Sequence, residues 1–141
     1  MRLFLATSVL LAASGSATGA SREIFRLAEI NSWTLLATPY VLEEVRRNLS
    51  QFPADALADW DRLHGELLMM DDVFTVDRPA VFAPAKDRPI LFSALAWADV
   101  LLTLDRGDFK TLLGSEFYNL AILTPGQFLR RERTAKRLKI P

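Results

Sequence analysis

The chain has 141 residues, of which 50% are hydrophobic and 24% charged; that balance excludes a disordered polypeptide and fits one domain with its own core. Seventeen basic and seventeen acidic side chains cancel, so any nucleic-acid contact must come from local basic patches and not from a global field. There is no cysteine and a single histidine, His64, which excludes disulfides, thiolate metal sites, a cysteine nucleophile and a His-rich zinc site, and leaves a Ser-His-Asp triad possible only around His64.

The first twenty residues, MRLFLATSVLLAASGSATGA, permit two readings. Arg2, the apolar run 3–13 and the small residues Ala17 and Ala20 resemble a secretory signal cleaved after residue 20. The other reading is a buried strand (Leu3 to Leu5) that passes through Thr7 and Ser8 into a short apolar helix. No run reaches the ~18 apolar residues of a membrane-spanning helix. Further on, residues 21–30 carry a helical stripe of Ile24, Leu27 and Ala28, and 33–37 read as a β-like run. Pro39 opens a helix to Leu49 with Val41, Leu42, Val45 and Leu49 on one side, proline being favoured in a first turn. A helix is expected over 54–70, with Leu57, Trp60, Leu63, Leu67 and Leu68 facing inward, and 73–76 as a short extended piece. Residues 87–97 read as a helix with Ile90, Leu91, Ala94, Leu95 and Ala98 as its stripe. A strand follows at 100–104, another at Leu120–Leu123, and Pro125 starts a short terminal helix. This alternation predicts an α/β sandwich with a mainly parallel sheet.

In such a sheet ligands bind beyond the carboxyl ends of the strands. Asp105 and Asp108 follow the 100–104 strand, Asp87 begins the helix that leads into it, and Glu44 lies at the edge of the apolar face of its own helix. Four carboxylates from distant parts of the chain are thus available to one oxygen-only site of the kind that suits Mg²⁺ or Mn²⁺. Each also has a plainer explanation. Asp87 is a helix cap by position, Asp105 and Asp108 flank the glycine of a DRGD turn, and Glu44 is spaced to pair with Arg47 on the helix surface. Residue patterns alone do not choose between these.

The segment DRPILFSALAWADVLLTLDRGDF, residues 87–109, resembles the second half of PIN-domain nucleases, including VapC-like toxins. In that family an acid starts an alanine-rich apolar helix, a strand ends in Thr-x-Asp, and an acid-Phe pair follows. The matching residues are Asp87, the Ala94–Ala98 region, Thr103-Leu104-Asp105 and Asp108-Phe109, and the interval from the first acid to the second is eighteen residues (105 − 87). TPYVLEEVRRNL is similar to the family's acid-bearing helix and supplies Glu44, and AILTPGQFL is similar to its closing strand and helix. The resemblance spans residues 2–129. It implies a PIN-like three-layer α/β/α sandwich over 1–129 with a basic tail over 130–141. It also implies a cytoplasmic endoribonuclease, the toxin of a toxin–antitoxin pair, that uses Mg²⁺ or Mn²⁺ on an RNA substrate, binds a small antitoxin protein and forms a homodimer. In that scheme Asp87 and Asp105 are direct metal ligands, Glu44 and Asp108 are ligands directly or through water, and the hydroxyls of Thr7, Ser8 and Thr103 orient the carboxylates.

The opening motif departs from the family. PIN domains usually begin with a strand followed by Asp-Thr-Asn or Asp-Thr-Ser, and here the run is Leu3-Phe4-Leu5-Ala6-Thr7-Ser8. Ala6 therefore stands where the resemblance expects a metal-binding aspartate. The same uncharged residue is what lets the amino terminus look like a signal, and cleavage there would remove the expected central strand. The expected consequence is an intact fold with impaired catalysis, or alternatively a non-catalytic PIN-like module that binds RNA or protein. His64 is expected at the surface or boundary, Trp33, Trp60 and Trp97 in the core or an interface, and Arg130, Arg131, Arg133 and Lys136 as a solvated helix end or a contact for RNA phosphates.

Overall fold

The computed structural model describes residues 1–77, 82, 84–110 and 112–141. In chain order the elements are β1 (Arg2–Leu5), α1 (Thr7–Gly15), α2 (Ala20–Ala28), β2 (Thr34–Ala37), α3 (Pro39–Leu49), α4 (Ala54–His64), β3 (Leu68–Met69), α5 (Arg88–Trp97), β4 (Val100–Leu102), β5 (Ser115–Phe117), β6 (Leu120–Leu123) and α6 (Pro125–Thr134). A 3₁₀ turn at Ala85–Asp87 runs directly into α5.

The strands form one sheet in the order β3-β2-β1-β4-β6-β5. All neighbours are parallel except β5, which runs antiparallel to β6. Each parallel step needs a crossover; helices supply it on the way from β1 to β2, from β2 to β3 and into β4, whereas β4 reaches β6 through a loop and β5, with no helix among the described residues between them. The helices make the molecule a three-layer α/β/α sandwich. β1 and β4 form its centre, in the register Leu3↔Val100, Phe4↔Leu101, Leu5↔Leu102. All six of these residues are 1% exposed or less. A strand buried on both faces reads as an unbroken apolar run and not as an alternation, which is why RLFL and VLL are so uniform. β6 is the same, with all four of its residues buried.

Three parts of the fold differ from the sequence expectation. The helix expected over 54–70 stops at His64, with Gly65 as its C-cap. The apolar residues beyond it bend back to the sheet, where Leu68 and Met69 pair with Leu36 and Ala37. Leu68 is 49% exposed and Leu57 is 40% exposed, so neither faces inward. Residues 73–76 join no strand. β5 has no counterpart in the sequence reading. It is joined to β6 by Tyr118 and Asn119, both left-handed (φ 49° and 68°), as a two-residue hairpin of the primed type requires.

At the carboxy-terminal end α6 carries a full capping box: Thr124 accepts from the Gln127 N–H while the Gln127 side chain accepts from the Thr124 N–H. The helix continues to Thr134, so the basic segment begins inside it. No described helix is long and apolar enough to cross a membrane.

Candidate active site

The strand order reverses its direction of growth between β1 and β4, since the chain first adds β2 on one side and later β4 on the other. A sheet of this kind opens a crevice at the carboxyl ends of those two strands. Here the crevice is a cleft of about 190 Å³ lined by Ala6, Thr7, Ser8, Leu11, Glu44, Lys86, Asp87, Ile90, Thr103, Asp105 and Phe109.

Four segments of chain build it. The first is the turn from β1 into α1. Ala6 is 3% exposed and is the N-cap of α1, with its carbonyl accepting from the Val9 and Leu10 N–H groups. Its methyl makes no side-chain cap. Thr7 donates its hydroxyl to Glu44 Oε1 at 2.7 Å, and the Ser8 hydroxyl accepts from the Leu104 N–H at 3.0 Å. Ser8 thus ties the end of β1 to the loop after β4.

The second segment is α3, which presents Glu44. This carboxylate is half-buried and engaged by Thr7. Arg47, its supposed surface partner, sends its Nε toward the Glu43 carbonyl instead. The third is the loop after β4. The fully buried Thr103 hydroxyl accepts from the Asp105 N–H at 3.1 Å. Asp105 Oδ1 then accepts from the N–H groups of Gly107 and Asp108, at 3.0 and 2.9 Å. The turn chemistry legible in DRGD is therefore real, and the same turn carries Asp108, whose carboxylate lies near those of Asp87 and Asp105.

The fourth is the start of α5. Asp87 occupies the N-cap position, yet its side chain makes no cap hydrogen bond. It is 6% exposed and points into the cleft. One carboxylate oxygen from each of Asp87, Asp105 and Asp108 lies within 4.8 Å of the others. Asp87 Oδ2 and Asp108 Oδ2 are buried and have no hydrogen-bond donor.

Two carboxylates crowded in this way do not both ionise freely. Burial, and then the hydrogen bond and charge of Asp108, push Asp87 up to about 7. The same hydrogen bond from Asp87 holds Asp108 below the ordinary carboxylate range. With both acids ionised neither Oδ2 has a donor; a proton retained on Asp87 supplies one. The pair titrates as a unit, with its proton on the Asp87 side.

Two neighbours complete the site and carry no signal in the sequence pattern. Lys86 places its Nζ 3.4 Å from Asp108 Oδ2. Tyr40, in the first turn of α3, donates its hydroxyl to the Lys86 carbonyl. The phenol is raised by burial and then by the charges of Glu44 and Asp87. The Tyr40 N–H in turn is held by Asp72 at 3.1 Å, which caps α3 from a distant loop. Adjacency to Asp87 is the only clue the sequence offers for Lys86.

The basic residues at the carboxy-terminal end are not part of this cleft. Arg130 and Arg131 line a separate, shallower hollow of about 550 Å³ with Gly114, Leu123, Gln127, Thr134 and Ala135. It is the larger of the two hollows, but none of its lining residues is an acid, so size does not mark the chemistry. Arg131 is engaged with Glu132 and lies over the Phe128 ring, while Arg133 and Lys136 are exposed. His64 ends α4, stacked on Trp60. Trp33 and Trp60 are buried, and Trp97 is half-buried with its indole N–H bonded to the Asp71 carbonyl.

No protein-family profile and no curated protein matches the sequence. Solved structures do match the fold. One is a chain of VapBC2 from Rickettsia felis, in a crystal structure with a DNA fragment from their promoter. It aligns at a TM-score of 0.62 and 18% identity, covering 86% of this chain and 97% of that one. The chain has a PIN-like fold. A second match is VapC20 from Mycobacterium tuberculosis, a sarcin-ricin loop cleaving toxin, at a TM-score of 0.45 and 17% identity over 77% of this chain and 94% of that one. The sheet order of this PIN-like chain is that of an α/β/α sandwich, and the likeness to the VapBC2 chain is one of fold.

Proposed function

We propose that this chain is the scaffold of a metal-dependent endoribonuclease, the toxin of a toxin–antitoxin pair, whose activity is low because Ala6 replaces a metal-binding aspartate. The observation that carries the reading is the convergence of Asp87, Asp105 and Asp108 within 4.8 Å beside Ala6. The donor set fits a hard divalent cation: all oxygen, no histidine or thiolate, with two buried oxygens lacking any donor. Mg²⁺ and Mn²⁺ both meet that description.

When bound, such an ion supplies an activated water for attack on a phosphodiester. The chain's own residues prepare the site. Asp87 gives up its proton on loading, and Asp105 is held through its Oδ1 by two backbone N–H groups. Asp108 adds the third ligand. Glu44, oriented by Thr7, acts directly or through water, while Ser8 and Thr103 fix the loop that bears Asp105. Leu11, Ile90 and Phe109 wall the cleft. Ala6 contributes only a methyl at the end of the central strand, where a carboxylate would complete the set. Losing even an outer partner of a metal site costs ~10–100-fold in affinity or activity, and losing a direct ligand costs at least that.

RNA is then the substrate, a small antitoxin protein the partner, a homodimer the assembly and the cytoplasm the compartment, with residues 1–129 as the nuclease domain and 130–141 as a basic tail. The same alanine favours a second reading, a PIN-like module that holds RNA or a protein without cutting, in which Arg130, Arg131, Arg133 and Lys136 meet phosphates. Ala6→Asp separates the two. On the first reading the variant cleaves RNA in the presence of Mn²⁺ or Mg²⁺ at least tenfold faster than the parent, and EDTA abolishes the gain. A variant as inert as the parent, with metal binding unchanged, removes Ala6 from the site and leaves the binding module.

A further inference from the structure

We propose that the ammonium of Lys86 is a built-in counter-cation of the aspartate cluster, one that a divalent ion must displace in order to bind. The inference rests on the metal-site reading of Asp87, Asp105 and Asp108. Lys86 sits in the 3₁₀ turn immediately before Asp87, and its carbonyl is fixed by the Tyr40 hydroxyl. Its backbone is therefore anchored at the mouth of the cleft. Its head group approaches Asp108 Oδ2 at 3.4 Å. The lysine therefore serves that oxygen as a charge partner. Asp87, 6% exposed with an unpartnered oxygen, shares the same space.

A monovalent ammonium in this position neutralises part of a cluster that otherwise crowds negative charge in a confined place. With Ala6 in place of an acid, the cluster has one carboxylate fewer to balance. The Lys86 side chain is 71% exposed, so the head group is free to swing into solvent. A divalent ion held by Asp108 would lie only a few ångströms from the ammonium. Their repulsion, in a water-like medium and with ordinary salt screening, corresponds to roughly fivefold in affinity.

The test is calorimetric titration of Mn²⁺ into the intact protein and into Lys86→Met and Lys86→Arg, at low salt and at about 0.5 M salt, where screening is strong. Lys86→Met is expected to bind Mn²⁺ at least about fivefold tighter than the parent at low salt, where screening is weaker than ordinary, with the advantage shrinking at high salt. Lys86→Arg, which keeps the charge, is expected to bind like the parent. Equal or weaker Mn²⁺ binding by Lys86→Met overturns the counter-cation role and leaves the metal site standing. Absence of Mn²⁺ binding by every form overturns both.

Discussion

Asp87→Asn is the perturbation whose effect the geometry defines best. Asp87 is 6% exposed, has an oxygen without a donor, and is pushed from the ordinary value of 3.8 to about 7. Its folded-state pKa lies above its unfolded-state value. The folded chain therefore keeps a proton that the unfolded chain has lost throughout the interval between them. The contribution of this group to stability is full below about pH 4 and is lost as the pH rises through about 7. A shift of about three pKa units at 1.36 kcal/mol each gives a ceiling of about 4 kcal/mol lost by pH 8. Asp108 shifts the opposite way, so its own contribution changes below the ordinary carboxylate range and not in this window. Asparagine keeps the shape, removes the charge and offers an N–H₂ donor toward Asp108. In EDTA at pH 8 the variant is expected to be more stable than the parent by about 2 kcal/mol, half the ceiling, because an amide buried there is itself incompletely paired. For a chain of this size that raises the melting temperature by about 4–8 °C. Near pH 5 the two proteins should converge. Thermal unfolding followed by circular dichroism across this range is the assay. Parallel pH profiles for parent and variant would show that Asp87 is not held protonated and would refute the electrostatic account of the cluster.

Two further perturbations test the surroundings. Thr7→Val removes the hydroxyl that fixes Glu44 at 2.7 Å and keeps the side-chain shape; Mn²⁺ affinity measured by calorimetry is expected to fall about tenfold, and an unchanged affinity would take Glu44 out of the metal site. Arg137→Met removes the nearer cationic partner of Glu132, which is 2% exposed and receives Arg137 at 2.5 and 3.2 Å, and leaves the looser ion pair with Arg131 at 3.4 Å. Because Arg137 is half-exposed, the urea midpoint at pH 7 is expected to fall, by less than the loss of a fully buried pair would cost. Arg137 lowers the Glu132 pKa, so the pair's contribution is present above the ordinary glutamate value and fades as the pH falls below it. The variant and the parent should therefore draw together in acid, and a cost independent of pH would contradict the ion-pair explanation.

The central strands and α5 were legible because burial on both sides leaves only apolar residues, and because proline and the 3.6-residue stripe bound the helix. The 54–70 segment misled for a physical reason: Leu67 to Met70 continue the apolar stripe, but Gly65 ends the helix and pairing with β2 captures Leu68 and Met69. β5 is three residues long and has none of them buried. Its turn uses Tyr118 and Asn119 where glycine would have signalled a hairpin. In the cleft, Asp87, Asp105 and Asp108 could be named from order and spacing, but their approach to one another depends on how the start of α5 sits against the turn after β4, which no local pattern encodes. The plainer explanations of the acids also had unequal fates. Asp105 does stabilise its turn, Asp87 makes no cap bond, and Glu44 turns to Thr7. Lys86 and Tyr40 enter through a 3₁₀ turn and a single long-range hydroxyl contact, which leave no periodic trace.

The most direct measurement of the central claim is anomalous diffraction from Mn²⁺-soaked crystals of the parent and of Ala6→Asp. The account predicts a peak enclosed by the carboxylates of Asp87, Asp105 and Asp108, weak in the parent and strong in the variant, with the introduced carboxylate as an added ligand. A peak elsewhere, or an empty cluster in both crystals, would contradict it.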